Sequence, residues 1–149
     1  MAKRRRAESY RALLGAIAAC SLLAESAGAE APALACGGPL KPMQRIELMF
    51  GRNVRGHLKV GDTAWAKFLA REITPRFPDG LTVVDAAGQW RDPVSGRVAG
   101  EPSRLVIIVT AADAPADDKI AAIVNAYKDQ FHQESVGVVA SAVCAGFLK

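Results

Sequence analysis

Two helical apolar stripes and four strand-like segments succeed one another along residues 44–143, and their order constrains the fold more than any other feature of the chain. The first strand, Gln44–Phe50, alternates polar and apolar residues up to Leu48, as a half-buried strand does. A loop from Gly51 to Gly61 follows. Helix one is expected to begin at Asp62 as its N-cap, with Trp65, Phe68, Leu69 and Ile73 forming one apolar stripe. Pro75 should end it and push Thr74 out of helical geometry. After the turn Pro78-Asp79-Gly80 comes a second strand, Leu81–Trp90. Residues 92–102 hold Pro93, Gly96, Gly100 and Pro102 and read as a long hairpin connection. The third strand, Leu105–Thr110, is continuously apolar up to Val109, which predicts a central strand covered on both faces. Helix two spans Pro115–Phe131, with Asp117 and Asp118 at its positive end and a stripe of Ile120, Ile123, Val124, Tyr127 and Phe131. A fourth strand runs from Ser135 to Val143.

The order β-α-β-β-α-β is the split β-α-β, or ferredoxin-like, plan of an α+β domain. Two right-handed crossovers then give a four-stranded antiparallel sheet in the order 4-1-3-2, with both helices on one face. Ile46 and Leu48 would point to one face of strand one, and Arg45, Glu47 and Met49 to the other. Strand four would lie antiparallel beside strand one, bringing the start of one to the end of the other. Cys36 precedes the first and Cys144 closes the second, so the topology and a Cys36–Cys144 disulfide, inferred separately, agree. Such a bond would close a loop of about 107 residues and stabilise the fold by roughly 4.7 kcal/mol in the chain-entropy picture.

The N-terminus sets the compartment. Lys3, Arg4, Arg5, Arg6 and Arg11 precede an apolar run from Ala12 to Ala24, and Ala27-Gly28-Ala29 fits a signal-peptidase site. Thirteen apolar residues are too few to span a hydrocarbon core of roughly 30 Å as a helix. Residues 1–29 therefore read as a signal peptide, residues 30–43 as an Ala/Pro/Gly-rich tether, and residues 44–149 as the folded domain. The expected location is periplasmic or secreted, where two cysteines pair readily. An alternative is a lipoprotein anchored through Cys20, since Ile17-Ala18-Ala19-Cys20 resembles a lipoprotein box; the apolar Ser21-Leu22-Leu23-Ala24 after it argues the other way. The whole chain carries 19 Lys and Arg against 15 Asp and Glu, but residues 1–29 hold five and two of them. The remaining 14 and 13 are nearly balanced, so overall charge gives no ground for nucleic-acid binding.

No catalytic constellation is apparent. The two histidines, His57 and His132, stand far apart in sequence, and no serine sits in a GxSxG context. No phosphate-binding glycine loop, metal-ligand spacing or cofactor motif is present. Five residues are candidates for a polar, ligand-binding cleft: Arg52, Arg76, Asp85, Trp90 and Glu134. Arg76 lies in the rigid connector Thr74–Gly80, where it could contact an anion or simply brace the turn. Trp90, near a strand end, could pack under a helix or wall a pocket. Arg52 ends strand one and Glu134 precedes strand four, so the proposed pairing makes them neighbours and an ion pair at the rim.

The blocks Glu47–Arg52, Thr74–Thr82, Gly88–Arg91 and Gln133–Val136, in that order, resemble the bacterial domain-of-unknown-function family DUF3574 over about residues 44–140. The resemblance implies small bacterial proteins, often exported, and carries no activity or catalytic residue. The residues themselves favour a non-catalytic module that binds a small ligand or an envelope protein. The alternative is a small enzyme of the dimeric α/β-barrel type, forming a homodimer through the open sheet face and enclosing a pocket there.

Overall fold

The computed structural model describes residues 34–54, 57–92 and 95–149. The expected signal peptide and Cys20 lie outside the described residues. Among the described residues six strands and two α-helices follow in sequence: β1 (Lys41–Gly51), β2 (Asn53–Val54), β3 (His57–Leu58), α1 (Asp62–Phe68), β4 (Thr82–Arg91), β5 (Val98–Ala111), α2 (Asp117–Phe131) and β6 (Gly137–Ala145). Four of the strands form an antiparallel sheet in the order β4-β5-β1-β6, and β2 and β3 make a two-stranded ribbon in the connection to α1. The domain is α+β.

Alternation along β1 decides the layers. Ile46, Leu48 and Phe50 are fully buried, and across the sheet Val106 and Ile108 share their face through the pairs Leu48–Val106 and Ile46–Ile108. Both helices pack on that face. Phe50 stacks tilted or edge-on against Trp65 (5.2 Å), Phe68 (6.0 Å) and Tyr127 (4.7 Å), so one strand residue meets both helices. Truncating a fully buried aromatic of this kind costs about 3–5 kcal/mol, so Phe50 is the keystone of the helix layer.

Several sequence expectations change in physical detail. β1 begins at Lys41, taking three residues from the expected tether. Pro42 fits there because β5 pairs only from Met43 onward, leaving no ladder bond on that side to lose. In the expected long connection over residues 92–102, residues 98–102 are strand. Asp92 closes a short turn by exchanging bonds with Arg97 and Gly96, and Pro102 sits just past the last β1–β5 pair, Gly51–Ser103. Asp62 is the first helical residue instead of the N-cap; Gly61 caps the helix and its carbonyl accepts from the Trp65 amide. Leu69–Ile73 form one wide π-type turn, and Thr74 keeps helical geometry despite Pro75. Its amide reaches five residues back to Leu69, and the Arg76 and Phe77 amides then close on Ile73, which lets the backbone turn continue past the proline.

β5 is central, as its sequence demands, but only one of its faces is covered within the chain. Val106 and Ile108 are buried, while Leu105, Ile107 and Val109 lie half-buried on the open face. The second cover that an unbroken apolar run calls for is not supplied by the described residues.

Cys36 and Cys144 are disulfide-bonded, with Cα atoms 5.5 Å apart. Cys144 pairs with Pro42 in the β1–β6 ladder, so the bond fastens residues 34–40 to the sheet just outside its first pair.

Candidate functional site

Where β1 leaves the sheet, beyond Phe50, the helix-facing layer turns from aromatic to ionic. Among the described residues Arg52 is the one buried charged residue, at 8% exposed. Its Nε donates to the Val60 carbonyl (2.7 Å) and its Nη2 to Asp62 Oδ1 (2.7 Å). Arg104, on β5 opposite Phe50 and Asp85, donates its own Nη2 to the same Asp62 oxygen (2.8 Å) and pairs with Asp85 through Nη1. Two guanidinium groups thus converge on one carboxylate oxygen. The arginine side chains are only 10% and 12% exposed, whereas those of Asp62 and Asp85 are 80% and 83% exposed. The cations are built into the protein and their counter-ions face water.

The surrounding layer fixes the arginines. The backbone after β1 is tied by Arg52 amide to Pro102 carbonyl (3.0 Å), by the Tyr127 hydroxyl to the Gly51 carbonyl (2.9 Å) and by Gln133 Nε2 to the Asn53 carbonyl (3.0 Å). Glu101 accepts from the Asn53 amide (3.2 Å). Its carboxylate fills the space where a side chain at Gly51 would stand, 2.7 Å from the position of an added Cβ. Burial holds the Tyr127 phenol well above its usual range; Glu101 adds to that shift and Arg52 opposes it. Tyr127 is therefore a fixed hydrogen-bond donor at neutral pH. Arg104 Nε is buried without a hydrogen-bond partner, so part of this guanidinium's donor capacity is unused.

Of the five candidates from sequence, Arg52 and Asp85 belong to this network, joined through Asp62 and Arg104. Arg76 does not. It caps its own helix end, donating to the Glu72 carbonyl (2.6 Å) and carboxylate (2.9 Å). It sits fourteen residues after Asp62, beyond the far end of the helical segment that Asp62 opens. Trp90 projects from the outer part of β4 onto the open face and is 43% exposed, so it packs under neither helix. Glu134 is exposed, and the expected Arg52–Glu134 ion pair does not form. The end of β1 and the entry to β6 are indeed adjacent, but Gln133 makes the contact while Arg52 turns toward α1.

Arg104 and Asp62 were missed for identifiable reasons. Asp62 has the chemistry of an N-cap, and Arg104 follows a stretch rich in glycine and proline. A tight β4–β5 hairpin places Arg104 opposite Asp85 by register alone. Two surface depressions, of about 390 and 430 Å³, lie against the α1–α2 groove and the start of α2, and neither is lined by Arg52 or Arg104. The arginine pair is the better candidate, because it brings unlike chain segments and buried charge together. Among the described residues no cluster of three or more His, Cys, Asp or Glu gathers to hold a metal.

The sequence pattern of the family described as "Protein of unknown function (DUF3574)" matches residues 45–147. No curated protein matches the chain. Among solved structures, a phage SAM lyase in complex with S-methyl-5'-thioadenosine is similar at 19% identity, covering 78% of this chain and 98% of that one, with a TM-score of 0.53. The same enzyme type in its apo state gives 17% identity, the same coverage and a TM-score of 0.50. CutA1 from Oryza sativa aligns at 14% identity over 74% of this chain and 87% of that one, with a TM-score of 0.46. At these identities the likeness to the lyases is one of fold.

Proposed function

The chain belongs to the DUF3574 family, and from that premise we propose that it is an exported, ferredoxin-like binding module whose Arg52–Arg104 pair holds a small anionic ligand. The single observation that carries the reading is the shared Asp62 oxygen. A water-facing carboxylate bridging two nearly buried guanidinium groups occupies the place that a ligand's carboxylate or phosphate would take. Charge-assisted bonds from two arginines are strong and directional, and the donors are already fixed by Val60, Asp85 and the sheet. The Asp62 carboxylate faces water, so it can turn out into solvent when a ligand anion takes its place. The ferredoxin-like assignment is supported by the neighbour order of the four long strands and by both helices meeting Phe50. Export is supported by the basic, apolar and small-residue order of residues 1–29.

A second reading, a small enzyme with a pocket enclosed between two sheets, is favoured by the uncovered apolar face of β5. A related fold serves the phage SAM lyases, but identity below 20% transfers no chemistry to these residues.

The test is calorimetric titration of the purified protein with inorganic phosphate and with small mono- and dicarboxylates. Saturable, salt-sensitive binding that weakens at least tenfold in Arg104→Gln supports the reading. Absence of saturable binding, or binding unchanged in that variant, refutes it.

A further inference from the structure

We propose that the open face of the sheet binds a second copy of this chain, related by a twofold axis that crosses β1 at Ile46. The face is apolar where a monomer's would be polar. Leu105, Ile107 and Val109 of β5 and Val143 of β6 are half-buried there, and Met49, Val84, Val139 and Trp90 are between 40% and 46% exposed. Alternation assigns all of them to one surface, since Met49 pairs with Leu105, Glu47 with Ile107 and Val139, and Arg45 with Val109. A strand with one solvated face normally alternates with polar residues, and β5 does not.

The charges specify the partner. Among the described residues one ion pair lies on this face, Arg45 Nε to Glu47 Oε1 at 2.7 Å, at the centre of β1. A plus and a minus two residues apart on one strand are self-complementary. A twofold axis running across the strands between them places Arg45 over the partner's Glu47, and Glu47 over the partner's Arg45. The same operation lays Ile107 over the partner's Val109, apolar on apolar. Sheets packed this way align within about 30° of each other and about 10 Å apart.

The size is sufficient. Nine paired residues along β1 and four strands give a face of roughly 30 Å by about 19 Å at standard strand spacings, so a face-to-face contact removes about 1,200 Å² from both copies together, within the range of stable interfaces. The arginine pair lies on the helix side of the sheet, so this inference stands apart from the ligand reading.

Sedimentation equilibrium of the purified protein at micromolar concentration tests it. The expected result is a dimer whose dissociation constant rises roughly a hundredfold or more in Ile107→Glu, which buries an unpaired charge. Circular dichroism of that variant separates dimer loss from unfolding. The decisive arm is a charge swap. Arg45→Glu and Glu47→Arg chains should each be monomeric, yet combine one-to-one when mixed, with a blue shift in Trp90 emission. A monomeric parent protein overturns the proposal. So does a dimer insensitive to both charge variants, or an oligomer dissociated by Val138→Lys on the opposite face of edge strand β6 while Ile107→Glu leaves it intact.

Discussion

Replacing Cys36 and Cys144 together by serine should destabilise the domain strongly without altering its fold. The bond joins residues 108 apart. In the chain-entropy picture a loop of this length restricts the unfolded chain by about 4.7 kcal/mol at 25 °C. Little is lost on the folded side. Residues 34 and 37–40 are exposed, and Cys144 stays in the β1–β6 ladder opposite Pro42 whether or not its sulfur is bonded. The aromatic core around Phe50 lies elsewhere. The effect therefore falls on the unfolded ensemble, and a penalty of about 3–5 kcal/mol is expected against a total stability on the order of 5–15 kcal/mol. With roughly 4 °C of melting temperature per kcal/mol for a domain of this size, the midpoint should drop by about 12–20 °C. Urea unfolding of the parent and double-serine proteins, followed by circular dichroism, measures the difference. The m-value should rise as well, because the uncrosslinked chain exposes more surface when unfolded. Retention of the parent's native spectrum shows that the fold survives. A loss below about 1 kcal/mol would refute the unfolded-state argument, and two titratable thiols in the denatured parent would refute the bond itself.

Asp62→Ala should lower the melting temperature in chloride by a few degrees, since two buried guanidinium groups lose a shared partner, and phosphate at a hundred times its dissociation constant should return about 2.7 kcal/mol; equal melting in both buffers contradicts the anion site. Tyr127 has a folded-state pKa raised by burial, so the protein's stability should be indifferent to this group below about pH 10 and fall as pH rises further, when only the unfolded chain can release the proton. Tyr127→Phe should flatten that alkaline decline while costing about 1 kcal/mol at neutral pH for the lost bond to Gly51, as pH-dependent denaturation will show. Gly51→Ala should cost about 1–2 kcal/mol by driving the Glu101 carboxylate off the Asn53 amide, and Gly51→Ala combined with Glu101→Ala should recover part of it. Intact mass of protein from the cell envelope should lack residues 1–29; a mass retaining them contradicts export by cleavage, and a lipidated Cys20 supports the anchored alternative.

The sequence by itself determined the elements that rest on local periodicity. The apolar stripe from Ile120 to Phe131 can be satisfied only by a helix, and the alternation around Ile46 and Leu48 only by a strand with one covered face. The Cys36–Cys144 bond was legible too, because chain order and the expected compartment both pointed to it. Tertiary structure decided what depends on partners distant in sequence. Residues 98–104 carry glycine and proline and look like a loop, yet they form strand because β4 offers a continuous ladder and Pro102 falls where β1 has already ended. Asp62 had the right chemistry for a cap, but two guanidinium groups, one just past the end of β1 and one on β5, compete for its carboxylate and a charge-assisted bond outweighs a neutral one. Arg52 was expected beside Glu134 and meets Asp62 instead, since a side chain's direction at a strand end is set by the layer it meets and not by which backbone lies nearest. The candidate site is in this sense a product of register. Arg52, Asp62, Asp85 and Arg104 span more than fifty residues, and only the pairing of β1, β4 and β5 brings their charges together.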